Sequence, residues 1–183
     1  MSVLQATGPI LANAQWAVDP SHSAIEFAVR HMLIATVKGR FREFEGTLET
    51  GEEPKFAGVV QVATLDTNDA IRDEHLRSAD FFDAIRYPEI SFRSTAVDVD
   101  GGESLNVVGD LELRGVMRSI ALAGEVAGVG VDPEGEQRLG LSLRGELDRT
   151  DFGLTWNRAL ETGGVLVGDR VGIALDISAV KVA

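Results

Sequence analysis

Apolar and polar residues alternate along most of the chain, which is the pattern of half-buried β-strands. In one segment, Ile25, Phe27 and Val29 fall on one face, whereas Glu26 and Arg30 fall on the other. Similar runs, separated by turns rich in Gly and Asp, occupy residues 36–50, 57–65, 90–99, 105–113, 120–126, 139–147 and 171–177. The pattern therefore predicts about eight strands with one polar face each, which suits a closed barrel or a sandwich.

The alternation changes parity in two of these segments. The inward face of one segment includes Phe41 and resumes at Phe44, which indicates a β-bulge near Arg42 and Glu43. A second bulge is expected near Ala96. Because a one-residue slip moves every following side chain to the other face, each bulge affects which residues face the interior.

A short helical insertion interrupts the strands. Asn68 or Asp69 can cap a helix over residues 70–77, and the turn that follows carries Phe81 and Phe82. A single helix between strands predicts a cover over one mouth of a barrel.

The predicted inward faces contain many small residues. Inside a barrel, small residues either fit its taper or leave room for a ligand. They are Gly39, Gly46, Ala57, Ala63, Gly109, Gly124 and Gly145.

Length and composition indicate one globular domain. The 183 residues suit a single core, which we place at 15–183 after a flexible N-terminal arm at 1–14. The chain has no cysteine, so disulfides and thiolate metal sites are excluded. The net charge of −12 disfavours nucleic acid as a partner. No apolar run approaches 18 residues, so no integral membrane segment is expected. The N-terminus lacks a basic region before an apolar run, which leads us to expect a cytoplasmic protein.

The candidate chemistry does not predict a metal or a catalytic residue. The chain has three histidines, His22, His31 and His75, whose spacing does not support a shared metal site. Ser21 lies next to His22, but adjacency on a strand does not align a nucleophile with a base. Arg72 and His75 have two interpretations. They can belong to a solvated helix face, or they can lie at a barrel mouth and contact a polar headgroup.

Several ordered motifs resemble those of the YceI family, also called polyisoprenoid-binding proteins. The similarity covers roughly residues 16–182. The motifs lie at 19–31 (DPSHSAIEFAVRH), 39–46 (GRFREFEG), 66–67 (DT), 72–83 (RDEHLRSADFFD), 87–92 (YPEISF), 109–116 (GDLELRGV) and 149–154 (RTDFGL).

This resemblance implies an all-β, lipocalin-like, extended eight-stranded antiparallel β-barrel with a short helical insertion. It also implies an apolar pocket for a long-chain isoprenoid lipid, a polyprenyl phosphate or an isoprenoid quinone, with no other cofactor. Some family members are periplasmic. Parity and motif position predict a polar headgroup site of His31, Arg72 and His75. The predicted apolar lining is Phe27, Val29, Phe41, Phe81, Phe82, Phe92, Leu111, Leu143, Phe152 and Ile173.

Two other functions stay open. An enzyme acting on a small isoprenoid or lipophile could use His31 or His75 as general base, and would need a carboxylate or hydroxyl beside that imidazole. A stress-response interaction module with a filled core would show a large apolar patch outside the barrel. A homodimer is compatible with the sequence, because the edge of a bulged barrel needs protection.

Overall fold

The computed structural model describes residues 11–183, in which it places eleven strands and one α-helix. The elements are β1 (Ala14–Val18), β2 (Ala24–His31), β3 (Ala35–Phe41), β4 (Phe44–Thr50), β5 (Lys55–Gln61), β6 (Leu65–Asp66), α1 (Ala70–Arg77), β7 (Glu89–Asp100), β8 (Ser104–Leu113), β9 (Val116–Val131), β10 (Gln137–Asp148) and β11 (Val167–Lys181).

These strands form a closed antiparallel barrel with eight positions around its circumference. Five positions are occupied by single strands. At each of the other three, two consecutive strands follow one another across a short break: β1 and β2, β3 and β4, and β5 and β6. The ring closes where β11 pairs with both β1 and β2. Every pair of neighbouring strands is antiparallel, so the predicted eight-stranded antiparallel barrel with a short helix is confirmed.

The strand directions give the barrel two different ends. The connections at 32–34, 62–88, 114–115 and 149–166 all lie at one end, which we call the mouth. The connections at 51–54, 101–103 and 132–136 lie at the other, which we call the closed end. The helix belongs to the mouth, as the sequence pattern predicted.

The irregularities of the strands agree only in part with the sequence pattern. The break between Phe41 and Phe44 and the register shift between Ser94 and Ala96 confirm the two predicted bulges. Two further register shifts, in the β9–β10 and β11–β2 pairs, were not predicted. Strand β5 ends at Gln61, so Ala63 lies in a 3-10 turn and is exposed, and its predicted inward position was wrong.

The helix is fixed at its start and along its buried face. The Asp69 carboxylate accepts hydrogen bonds from the backbone N–H groups of Ile71 and Arg72, at 3.1 and 3.0 Å, which caps the first turn. The buried carboxylate of Asp73 accepts from the N–H and hydroxyl of Thr67, at 2.8 and 2.6 Å. The helix is thereby tied to the residue that follows β6, and its observed bounds match those predicted.

At the closed end the barrel interior is filled. Five side chains with at most 4% exposure fill this region, and we call them the plug: Trp16, Leu105, Val107, Leu139 and Ala179. The indole N–H of Trp16 donates to the hydroxyl of Thr50 at 3.0 Å, which in turn donates to the carbonyl of Ala12 at 2.7 Å. Residues 12 and 14 of the predicted flexible arm are therefore attached to the barrel, whereas residues 1–10 of that arm lie outside the described part of the chain.

Two interior glycines sit beneath aromatic rings. A methyl group on Gly39 would come within 2.3 Å of the Phe27 ring, and one on Gly109 within 2.4 Å of the Phe92 ring. Glycine is required at both positions because the rings approach the backbone closely. These small residues therefore make room for neighbouring aromatic side chains and do not themselves enlarge the interior.

Candidate functional site

An apolar cavity lies between the plug and the mouth. Its volume is about 330 Å³, within the usual range of roughly 300–1,000 Å³ for ligand pockets. Leu141 and Leu143 line it toward the plug, and cross-strand pairs such as Phe27 with Ile173 and Val29 with Val171 line its wall. The inner face of the barrel therefore surrounds an interior that its own side chains do not fill.

The exposure of the wall residues reflects this cavity. Phe27, Val29, Val171 and Ile173 have inward parity, yet they are only half-buried, because part of each side chain faces the cavity. None of the five plug residues lines the cavity. Half-buried apolar side chains favour the binding of an apolar ligand, because a ligand that covers them removes apolar surface from water.

An aromatic triad lines part of the cavity. The ring centroids of Phe27, Phe41 and Phe82 lie 5.6, 6.2 and 5.9 Å apart, in tilted and edge-to-face arrangements. Phe82 comes from the segment after α1, whereas the other two come from strands. The helical insertion thus contributes an aromatic side chain to the cavity wall.

His75 is held in a fixed orientation at the mouth of the cavity. Its ring packs edge-on against Trp156 and Phe81, with centroid distances of 4.7 and 5.1 Å. Its Nε2 atom lies 2.8 Å from the Asp80 carboxylate. The side chain is 39% exposed and also lines the cavity, so the imidazole stands between the apolar interior and solvent.

Arg72 lines the cavity with part of its hydrogen-bonding capacity unused. Its Nε and one terminal nitrogen donate to the hydroxyl and carbonyl of Thr67, both at 2.7 Å. These bonds account for two of the five N–H groups of a guanidinium. Within the described residues no partner takes the others, so they can donate to a bound headgroup.

Arg149 also lines the cavity, but its role is structural. It is 4% exposed and donates to the carbonyls of Leu154, Trp156, Val167 and Gly168 at 2.7–3.2 Å. Asp169, at 3.5 Å, is its carboxylate neighbour. Burial lowers the pKa of this guanidinium, although arginine remains protonated at neutral pH. With its N–H groups already occupied, Arg149 fixes the connection between β10 and β11 and leaves little for a ligand.

The cavity brings together every residue that the sequence predicted for the site. All ten predicted apolar residues line it, from Phe27 to Ile173, and so do His31, Arg72 and His75. That they contact a ligand stays a prediction.

Other lining residues were missed. The alternation of β2 and β11 could have identified Ile25, Val171 and Leu175, whereas Trp156 lies in an irregular connection without a periodic signal. Arg149 belongs to one of the matched motifs, which was its available signal.

The remaining histidine lies away from this site. His22 is exposed, and its Nδ1 atom lies 2.8 Å from Asp19. Among residues 11–183, no three His, Asp or Glu side chains cluster as metal ligands do. Over the same residues, no helix combines the length and the apolar character needed to cross a membrane.

Comparison with known proteins identifies the family. The family model of the YceI-like domain matches residues 16–179 of the chain. The chain belongs to the YceI family.

YceI relatives resemble most of this chain. Protein YceI of Escherichia coli O157:H7 is 36% identical over 159 residues, which cover 84% of this chain and 82% of that protein. A UPF0312 protein of Photorhabdus laumondii is 37% identical over 154 residues, covering 82% and 80% of the two chains. The residues matched by the family model, 16–179, include the helix and the strand segments that line the cavity.

Solved YceI-type structures share the barrel. A YceI protein of Campylobacter jejuni gives a TM-score of 0.72 at 25% identity, covering 84% of this chain and 90% of that one. A polyisoprenoid binding domain from Saccharophagus degradans gives 0.72 at 16% identity, covering 93% and 99%. At 16% identity the second likeness concerns the fold alone.

Proposed function

We propose that this protein binds a long-chain isoprenoid lipid, with the tail in the apolar cavity and the headgroup at the mouth. The observation that carries the proposal is an unfilled apolar cavity whose wall residues are half-buried. The YceI family membership and the shared fold of a polyisoprenoid binding domain support a binding role.

Burial of the tail supplies the affinity. Each buried CH₂ group contributes roughly 0.8 kcal/mol, so about ten carbons of an isoprenoid tail would contribute roughly 8 kcal/mol before ordering costs. The part of the wall formed by Phe27, Val171, Ile173 and Leu175 consists of aliphatic and aromatic side chains. A saturated or isoprenoid tail fits this surface, whereas a polar ligand would lose its hydrogen bonds to water there.

The mouth favours an anionic headgroup. Arg72 retains N–H donors, and guanidinium suits bidentate contact with phosphate. His75 and His31 line the same cavity and can add donors. In a chain of net charge −12 the guanidinium of Arg72 provides local positive charge, so we propose a polyprenyl phosphate as the ligand class.

Titration of the delipidated protein with a polyprenyl phosphate and with the matching uncharged polyprenol tests both parts. We expect both lipids to bind, with the phosphate binding about tenfold more tightly because of charge-assisted hydrogen bonds. The Arg72→Met variant should reduce this preference while polyprenol binding persists. Binding of neither lipid would refute the proposal. Equal binding of both, unchanged in Arg72→Met, would refute the phosphate assignment and leave a quinone as the candidate.

One observation favours a second candidate, an enzyme that uses His75 as general base. The Asp80 carboxylate lies 2.8 Å from Nε2 and can orient the ring, which is the partner that such a base requires. If the protein transforms an isoprenoid substrate, turnover should fall sharply in His75→Ala. Turnover that survives this change would contradict the enzyme hypothesis.

A further inference from the structure

The mouth displays large apolar side chains to solvent. We define the mouth rim as Met32, Leu33, Ile34, Ile71, Ile85 and Val165, all of which are exposed. Ile34, Ile71 and Ile85 are 82%, 84% and 97% exposed, the three highest values among the exposed large apolar residues of the described chain. Ile34 lies in the connection 32–34, Ile71 and Ile85 lie in 62–88, and Val165 lies in 149–166, so the exposure is not a property of one loop.

The hairpin turn of the rim has an unfavourable local sequence. Met32 and Leu33 have φ values of 54° and 63°, in the left-handed region, and the turn closes through a 3.3 Å bond from Ile34 N–H to His31 C=O. Such turns favour Asn-Gly, because positive φ is costly for residues with large side chains. The fold alone therefore does not explain two bulky apolar residues at this position.

Parts of the rim are continuous. The backbone N–H of Met32 donates to the carbonyl of Leu166 at 2.8 Å. Gly164 lies directly beneath Leu33, since a methyl group there would come within 2.9 Å of its Cδ1 atom. The hairpin and the connection that carries Val165 thus form one apolar surface beside the cavity opening.

Cationic side chains accompany the rim. Arg30 precedes the hairpin, Arg86 follows Ile85, and Arg158 lies in the same connection as Val165; all three are exposed. Apolar side chains flanked by Arg are typical of segments that insert into the headgroup region of a bilayer, where the cations meet phosphate.

The opposite end has a different charge. The three closed-end connections contain six acidic residues and no Lys or Arg, whereas the four mouth connections contain eight acidic and six basic residues. The strands between them span roughly 30–40 Å, well beyond the Debye length of about 8 Å at physiological salt. An anionic surface would therefore repel the closed end at close range but would meet a nearly balanced mouth.

We propose that the mouth rim docks on a bilayer surface that contains anionic lipids, so that the cavity opens toward the membrane. Ile34, Ile71 and Ile85 enter the headgroup region, and Arg30, Arg86 and Arg158 lie at the phosphates. This placement gives a lipid tail a path between bilayer and cavity without crossing bulk water.

Vesicle flotation tests the docking. The full chain is mixed with phosphatidylcholine vesicles and with vesicles of phosphatidylcholine and phosphatidylglycerol in equal parts. We expect flotation with the second set, weakened by high salt because the Arg–phosphate contribution is screened. Each Arg→Gln change at Arg30 or Arg86 should weaken partitioning about fivefold.

The decisive variant is Met32→Asn with Leu33→Gly. It should raise the melting temperature, because it relieves positive φ, while it lowers partitioning about tenfold or more. The matched control is Val131→Ser, which removes an exposed apolar side chain at the closed end and should leave flotation unchanged.

Three outcomes would overturn the proposal. The protein would not float with either set of vesicles, or Val131→Ser would lose as much flotation as the Met32→Asn, Leu33→Gly variant. The third outcome is a wild-type dimer that the turn variant converts to a monomer. The last result would assign the rim to a second copy of the chain. Lipid occupancy of the cavity is measured separately by extraction, so failure of docking leaves the ligand proposal standing, and the reverse also holds.

Discussion

The two halves of the barrel interior are built from the same sequence pattern but reach different packing. At the closed end, Leu105 and Leu139 are fully buried in the plug. Toward the mouth, Val171 and Ile173 have the same inward parity, yet they stay half-buried and line a cavity. Alternation thus determines which face a side chain occupies, but not whether it meets a partner across the axis.

Strand pairing accounts for part of this difference. At the closed end, β1 pairs with both β4 and β11 and brings Trp16 into the interior. Near the mouth, the β11–β2 pair shifts register between Val167 and Val171, and a bulge of this kind bends the strand. One end is consequently sealed by side chains, whereas the other is covered by the helix and the segment after it.

The largest effect is expected for the buried cation at the mouth. Arg149→Met would leave the carbonyls of Leu154, Trp156, Val167 and Gly168 without their donor, which should cost about 3–5 kcal/mol. Urea denaturation measures the loss. In the control Arg144→Met, an exposed ion pair with Asp176 is removed and the change should stay below about 1 kcal/mol. Similar small losses in both variants would show that Arg149 does not hold this connection.

A matched pair of leucines tests the contrast between plug and cavity. Leu105→Ala should lower the free energy of unfolding by about 2–5 kcal/mol, because the removed side chain leaves a void in a packed region. Leu175→Ala should cost less than half as much, since that side chain already borders a cavity. Equal losses in chemical denaturation would mean that the two regions do not differ in packing.

The smallest effect concerns an ion cluster near the closed end. Arg138 donates to Asp19 at 2.8 Å and to Asp132 at 2.7 Å, and this guanidinium holds the pKa of both carboxyls below their usual range. A carboxyl whose pKa is lower in the folded chain stabilises it above the unfolded value, near 4, and this contribution is lost as the pH falls further.

The stability difference between wild type and Arg138→Met should therefore be constant from pH 7 to about pH 5 and should shrink below about pH 4. Denaturation midpoints measured across this range give the difference directly. A stability difference that instead grows as the pH falls would contradict the assigned direction of both pKa shifts.

The sequence predicted the fold in most respects. Alternation and turn residues predicted about eight strands and two bulges, and Asn68 or Asp69 with the residues after it predicted α1. The resemblance to the YceI family favoured a barrel over a sandwich. Strand β1 was missed because only five residues carry it, too few for a clear alternation between Ala14 and Val18. The closure by this strand depends on long-range pairing, which no local pattern reports.

The residue pattern predicted the candidate site as a set of inward residues, whereas the cavity was implied by the resemblance to the YceI family. Gly39 suggested open space, whereas the structure fills that space with the Phe27 ring. The position of His75 on α1 relative to Trp156 depends on how this helix packs against the irregular connection 149–166, which no sequence period reports.

Occupancy of the cavity is the most direct measurement of the central claim. Native mass spectrometry of the protein purified without detergent should show one lipid bound per chain, removed by organic extraction and restored by added polyprenyl phosphate. Ile173→Trp, which fills the cavity, should abolish the bound mass, whereas Val108→Trp on the outer face should retain it. A chain that carries no lipid, and that gains none when the extracted protein is incubated with polyprenyl phosphate, would contradict the account.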